Sequence, residues 1–382
     1  MKKVLLLAYT NGNFGDDMFV NTICSSLSNI QFYLEAPKSY IKTFSHLSNL
    51  HIIVPSKIEK LSRKLDSIIG AVLGDRGKKT LRHCWIRKFD AVVYVIGGLF
   101  DDDDLWEGTV AKIGNDRYKR LMWKDSFYDD IPFYLLGCNM TRVRSERYLE
   151  LMQFLFSGLT DICFRDKYSY GLFCGLTNTR YAPDIVFNFP IREVKKENII
   201  VISVWGVLQN CDKMPQWKWA EHLYDNYFEL MDAATKYFLD EGKKVVLLSL
   251  CENEGDLQAC YEIYSHQDNK QNLSLLNYSQ NLNEIIEVFQ SAEFVIGTRF
   301  HSVVMALKTE TPVYPIVYES KTEQLLRDVG YEGAYSDINS IKDSDINLIM
   351  DTYKRHKVCN IQRVVADANN QFEILQEQLE RE

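Results

Sequence analysis

The chain has 382 residues, 46% of them hydrophobic and 25% charged, with a formal net charge of -8. That length exceeds what one hydrophobic core usually supports, so two domains are expected, and the acidic balance supplies no basic face for nucleic acid. The nine cysteines stand singly with no Cys-x-x-Cys pair, which excludes a disulfide framework or zinc site and indicates reduced, mostly buried thiols.

In chain order, Val4–Ala8 is an apolar run that ends in Thr10-Asn11-Gly12-Asn13 without a small-residue cleavage site. A first β-strand is expected there, not a signal peptide. Further strands are expected at Gln31–Leu34, His51–Val54, Ala91–Ile96, Phe133–Leu136 and Ile162–Phe164. Between them, Ser56–Phe89 places Leu61, Leu65, Ile68, Ile69 and Val72 near helical spacing, then crowds Arg76, Lys78, Lys79, Arg82, Arg87 and Lys88 together. Such a stretch suits peripheral contact with the inner face of a membrane, or, more plainly, an apolar stripe packed on the first sheet. A polar break at Pro190–Glu197 precedes a fresh set of strands at Ile199–Val204, Lys244–Leu250, Leu273–Leu276, Glu293–Ile296 and Val313–Val317. Helices are clearest at Trp217–Asp240, Leu282–Gln290, His301–Lys308 and Asp345–Arg381. Near-continuous apolar strands alternating with helices indicate an α/β chain with mainly parallel sheets. The split follows: residues 1–195 as one Rossmann-like domain, 196–345 as a second, and 346–382 as a C-terminal helix packing back on the first. No run of roughly eighteen apolar residues occurs, so no membrane span is expected and the compartment is read as cytoplasmic.

Ligands of parallel sheets bind beyond the carboxyl ends of strands, and four loops there carry polar residues. In Thr10–Asp17, Asn13 and Asp16 could meet sugar hydroxyls, although a tight turn with an aspartate cap is the plainer account. The glycine spacing does not match a dinucleotide fingerprint. Gly97-Gly98 leads to four aspartates, Asp101 to Asp104, whose like charges read as solvated and not as a metal site. Arg165-Asp166 lies where a strand yields to a helix, either meeting an anion or forming an ion pair at the sheet edge. The strongest is Gly297-Thr298-Arg299-Phe300-His301. It places an arginine fork and a titratable imidazole at a positive helix end. Lys321, after the next strand, could join Arg299 and His301 in one cleft.

Asn13-Phe14-Gly15-Asp16, Gly97-Gly98, Arg165-Asp166, Pro183-Asp184 and Thr298-Arg299-Phe300-His301 occur in the order typical of polysaccharide pyruvyl transferases, and the chain resembles that family from about residue 9 to about residue 330. It differs in carrying Phe300 where leucine is common and Asp17 where glutamate is common. The resemblance implies a GT-B-like fold of two facing Rossmann-like domains, with no cofactor and with phosphoenolpyruvate as co-substrate. The acceptor it implies is a sugar or lipid-linked oligosaccharide of a surface or capsular polysaccharide. It assigns Arg299, Phe300, His301 and Lys321 to the donor, with Arg165 reaching from the first domain and His301 as general acid. Asn13, Asp16, Gly97 and Gly98 are assigned to the acceptor. The competing expectations are a nucleotide-sugar glycosyltransferase, for which Glu252, Glu254 and Asp256 offer ribose contacts, and a glycan-binding protein without catalysis.

Overall fold

The computed structural model describes residues 1–54, 87–102, 131–206 and 220–381. Residues 55–86, which hold most of the basic amphipathic stretch, lie outside the described residues, as do Asp103, Asp104 and residues 217–219.

Among the described residues every strand pairing is parallel, in keeping with continuous apolar runs buried on both faces. In the first sheet, β1 (Lys3–Leu7) pairs with β2 (Gln31–Glu35) in the register Val4↔Phe32. On its other side β1 pairs with β4 (Ala91–Val95) in the register Val4↔Ala91. β3 (Leu50–Ile53) closes one edge, and β6 (Phe133–Arg142), β7 (Asp161–Phe164) and β8 (Thr179–Tyr181) extend the other, giving the order β3-β2-β1-β4-β6-β7-β8. β5 (Gly98–Asp101) pairs with the far end of β6. The second sheet runs β11 (Leu273–Asn277), β10 (Lys244–Ser249), β9 (Ile199–Ser203), β12 (Phe294–Gly297), β13 (Val313–Val317) and β14 (Ser336–Asp337). The winding reverses at β1/β4 in one sheet and at β9/β12 in the other, and a crevice for ligand opens beyond the strand ends at such reversals.

The helices among the described residues are α1 (Phe14–Ser26), α2 (Tyr40–Thr43), α3 (Glu146–Ser157), α4 (Lys167–Phe173), α5 (Tyr224–Asp240), α6 (Asp256–His266) and α7 (Leu282–Ser291). They continue with α8 (Phe300–Lys308), α9 (Ser320–Asp328), α10 (Asp345–Arg355), α11 (Gln362–Ala368) and α12 (Glu373–Arg381). The single helix expected over Asp345–Arg381 is therefore three. His356 takes the left-handed conformation, with φ 46, and ends α10. Asn360 accepts from the Gln362 amide at 3.1 Å and starts α11, and a 3-10 turn at Asn369–Gln371 separates α11 from α12.

The chain forms two compact units. One comprises Met1–Thr10, Phe19–Asn188 and Asp367–Glu382, and the other Asn11–Met18 and Phe189–Ala366. The first has a core of Leu5, Val92, Leu135, Phe156, Phe164 and Phe173, and the second one of Ile200, Leu247, Phe238, Phe294 and Tyr314. The seven cysteines among the described residues are all free thiols, five of them buried. Among the described residues no helix is long and apolar enough to cross a membrane.

Candidate active site

In the second unit, the apolar strand β12 runs out at Gly297 and an apolar helix begins at Phe300, so Arg299 becomes the N-cap of α8 with an extended backbone. Its carbonyl accepts from the Ser302 amide at 2.9 Å. Its guanidinium turns onto two carboxylates. Nε and Nη2 donate side-on to Asp256 at 2.8 and 2.5 Å, and Nη1 donates to Glu254. Asp256 is fully buried and also accepts from the amides of Gly206 (2.9 Å) and Cys251 (3.0 Å). One carboxylate thus ties together the loops that follow β9, β10 and β12. Gly206 is obligatory there, because a Cβ would collide with the Gly255 carbonyl. Burial pushes the Asp256 carboxyl above its ordinary value against the pull of Arg299. At Glu254 burial acts the same way, but the charges of Arg299 and Lys321 outweigh it and hold the carboxyl below the ordinary value.

His301 occupies the first turn of α8, half-buried, with its ring edge-on to Phe300 at 5.1 Å. The imidazole lies directly on Gly15, where any Cβ would overlap it. Gly15 sits in the first turn of α1, capped by Asn13, whose Oδ1 accepts from the amides of Gly15 (2.9 Å) and Asp16 (3.3 Å). This turn belongs to the second unit and is fastened within it. The Phe14 amide donates to the Leu250 carbonyl at 3.2 Å, and Asn253 donates to the Asn11 carbonyl at 2.7 Å. Tyr278 donates to Asp17. The Phe14 ring, fully buried, meets Tyr278 at 5.5 Å and Phe289 at 6.3 Å.

Lys321 lies in the first turn of α9, paired with Glu319 and 5.5 Å above the Tyr318 ring, which in turn stacks on Trp205 at 4.4 Å. Its charge acts on Glu254 and Tyr318, as does that of Arg299, so the two cations share one neighbourhood. The buried Tyr227 hydroxyl accepts from the Trp205 amide at 2.9 Å and pairs with Thr298 Oγ1 at 3.0 Å, bracing the turn from α5.

The remaining expected residues lie in the first unit. Arg165 reaches Asp184 and Asn139. Its Nη1 donates to Asp184 at 3.0 Å, and Nε and Nη2 donate to Asn139 at 3.1 and 2.7 Å, all buried. Gly97 faces this guanidinium, while Gly98 is exposed at the start of β5. Burial raises the Asp184 carboxyl although Arg165 opposes it. Asp166 caps α4, accepting from the Ser169 amide at 2.7 Å. Asp102, expected to be solvated, is buried and accepts from the amides of Arg144 and Ser145, both at 2.7 Å.

The structure thus gathers Asn13, Gly15, Asp16, Arg299, Phe300, His301 and Lys321 in the second unit, and Gly97, Gly98 and Arg165 in the first. The Arg299 fork, assigned to the donor, is engaged with Asp256 and Glu254. One correction follows. Asn13 does the capping expected of an aspartate. Asp256, Tyr227, Asp17 and Tyr278 were not expected at this turn. For Asp256 the local signal is an aspartate directly after Gly255 at the head of an amphipathic helix. Of the acids set aside for a ribose, Asp256 and Glu254 hold Arg299, and Glu252 accepts from Asn277 at 2.7 Å.

The chain is 22% identical over 321 residues to the amylovoran biosynthesis protein AmsJ of Erwinia amylovora, covering 76% of this chain and 71% of that one. Its fold is similar to that of the UDP-GlcNAc 2-epimerase of Methanocaldococcus jannaschii, with TM-score 0.58, 10% identity and 99% of each chain covered. It is also similar to Anabaena HepE in complex with UDP and glucose, with TM-score 0.55, 11% identity, and 100% of this chain and 99% of that one covered. At such identities these two likenesses speak for the fold alone, two parallel-sheet α/β domains of the GT-B-like class. Residues 13–320 match a single family along their whole length, from the cap of α1 to the start of α9, and by that match the chain belongs to the polysaccharide pyruvyl transferase family.

Proposed function

We propose that this protein transfers pyruvate from phosphoenolpyruvate to a sugar of a polysaccharide or its lipid-linked precursor, forming a cyclic ketal and releasing phosphate. The observation that supports this most is the His301 imidazole laid on Gly15 at the head of α8, beside Arg299, in a chain of this family. Similarity to an amylovoran biosynthesis protein supports a place in polysaccharide synthesis. Phosphoenolpyruvate carries a phosphate and a carboxylate, which suit Arg299, Lys321 and the positive end of α8. A proton from His301 to the methylene carbon makes C2 electrophilic for a sugar hydroxyl. Departure of phosphate and attack by a second hydroxyl then close the ring; of the two hydroxyl protons released, one restores His301 and the other leaves on phosphate.

Incubation with phosphoenolpyruvate and a panel of lipid-linked and nitrophenyl sugars should release phosphate and yield a pyruvyl ketal detectable by mass spectrometry. His301→Ala should lower turnover by about 100- to 10,000-fold, the usual effect of losing a positioned general acid, while donor binding weakens only modestly. A variant unable to bind phosphoenolpyruvate in calorimetry would remove the acid role and make His301 an anion ligand.

A further inference from the structure

Among the described residues, Arg299 is paired with Asp256 and Glu254, and Lys321 with Glu319, so three carboxylates lie against these two positive groups at the heads of α8 and α9. A multiply charged anion meets a locally acidic patch there unless one carboxylate withdraws, since like charges in contact cost several kcal/mol. The three differ in how readily they can leave. Asp256 is wholly buried and accepts four N–H groups from three loops. The Glu319 side chain is 13% exposed and precedes α9. The Glu254 side chain is 30% exposed and stands at the end of a short 3-10 turn, next to Gly255 at φ 89.

We propose that Glu254 is an internal stand-in for the donor's anionic group, covering Nη1 of Arg299 and swinging out when a carboxylate or phosphate binds. This rests on the donor reading given above. The geometry is suited to the exchange. Asp256 holds the Nε/Nη2 side of the guanidinium and keeps its plane fixed, so withdrawal of Glu254 uncovers the Nη1/Nη2 edge. That edge is the one that grips two oxygens at once. Glu254 thereby sets donor affinity and selects against weakly charged ligands that cannot displace it.

The test is calorimetric titration of the full-length protein with inorganic phosphate and with phosphoenolpyruvate at fixed pH and salt. Glu254→Gln keeps the shape and removes the charge, and it should bind both probes about tenfold more tightly, equivalent to about 1.4 kcal/mol. Glu254→Ala, which clears the edge altogether, should bind at least as tightly. Glu252→Gln removes the same charge two residues away, on Asn277, and should match the wild type. Unchanged or weaker binding of phosphate by both Glu254 variants overturns the proposal. Tighter phosphate with no phosphoenolpyruvate binding in any protein supports the stand-in and removes the donor reading instead.

Discussion

At the scale of single residues, Gly15 is the most exacting position in the candidate site. The imidazole of His301 occupies the space that a side chain at residue 15 would need. Gly15→Ala should therefore push the ring off its place, and misplacement by about 1 Å can cost on the order of 100-fold in rate. The overpacking penalty should be only about 1–3 kcal/mol, leaving the protein folded. Turnover measured beside denaturant unfolding separates the two, and wild-type turnover in this variant would show that His301 needs no such seat. The head of α8 was legible in the sequence, because a buried strand, a glycine and an apolar helix are local patterns. Its partners were not, because Gly15 and Asp256 lie far from it along the chain. Arg165 shows the same limit. The adjacent Asp166 looks like its natural partner, yet nothing local in the sequence shows that Asp166 caps α4 or that the guanidinium reaches Asp184 and Asn139.

At the scale of elements, the strands expected from apolar runs are present, since parallel strands buried on both faces have an unmistakable composition. β5, β8 and β14, four, three and two residues long, are too short to show a pattern, and Gly98–Asp101 reads as a loop in the sequence. The last helix is three where the sequence shows one, because apolar spacing persists across two interruptions that depend on backbone conformation at His356 and on the turn at Asn369–Gln371. That turn does structural work in the first unit. Gln371 is fully buried, accepts from the Gly137 amide at 3.1 Å and donates to the carbonyls of Ala182 (2.8 Å) and Pro183 (3.0 Å). Gln371→Ala leaves a buried amide and two carbonyls without it, each worth about 1–3 kcal/mol. A loss of about 3 kcal/mol in unfolding free energy is expected by urea titration, with donor binding unchanged. A loss below about 1 kcal/mol would mean that water replaces the side chain.

At the scale of the whole molecule, the α/β alternation and the pair of parallel sheets were legible, because each sheet repeats the same strand–helix grammar. The allocation of residues to the units was less so, since the chain passes between them after Thr10, Met18, Asn188 and Ala366. Sequence order places Asn11–Met18 with the first sheet, whose first strand it follows, whereas its contacts place it in the second unit. The reason is side-chain burial. Phe14 is fully buried against Tyr278 and Phe289, and Asp17 takes the Tyr278 hydroxyl. Phe14→Ala should therefore weaken a unit from which it is distant in sequence. Truncating a buried phenylalanine typically costs about 3–5 kcal/mol. Hydrogen exchange followed by mass spectrometry reads where that loss appears, because each amide reports the opening of its own cooperative region. Faster exchange is expected in β9, β10 and β12, with β4, β6 and β7 retaining wild-type protection. Faster exchange confined to β4, β6 and β7 would show that the first turn of α1 belongs energetically to the first unit. The seat it offers His301 would then be a borrowed contact and not part of the second unit's own core.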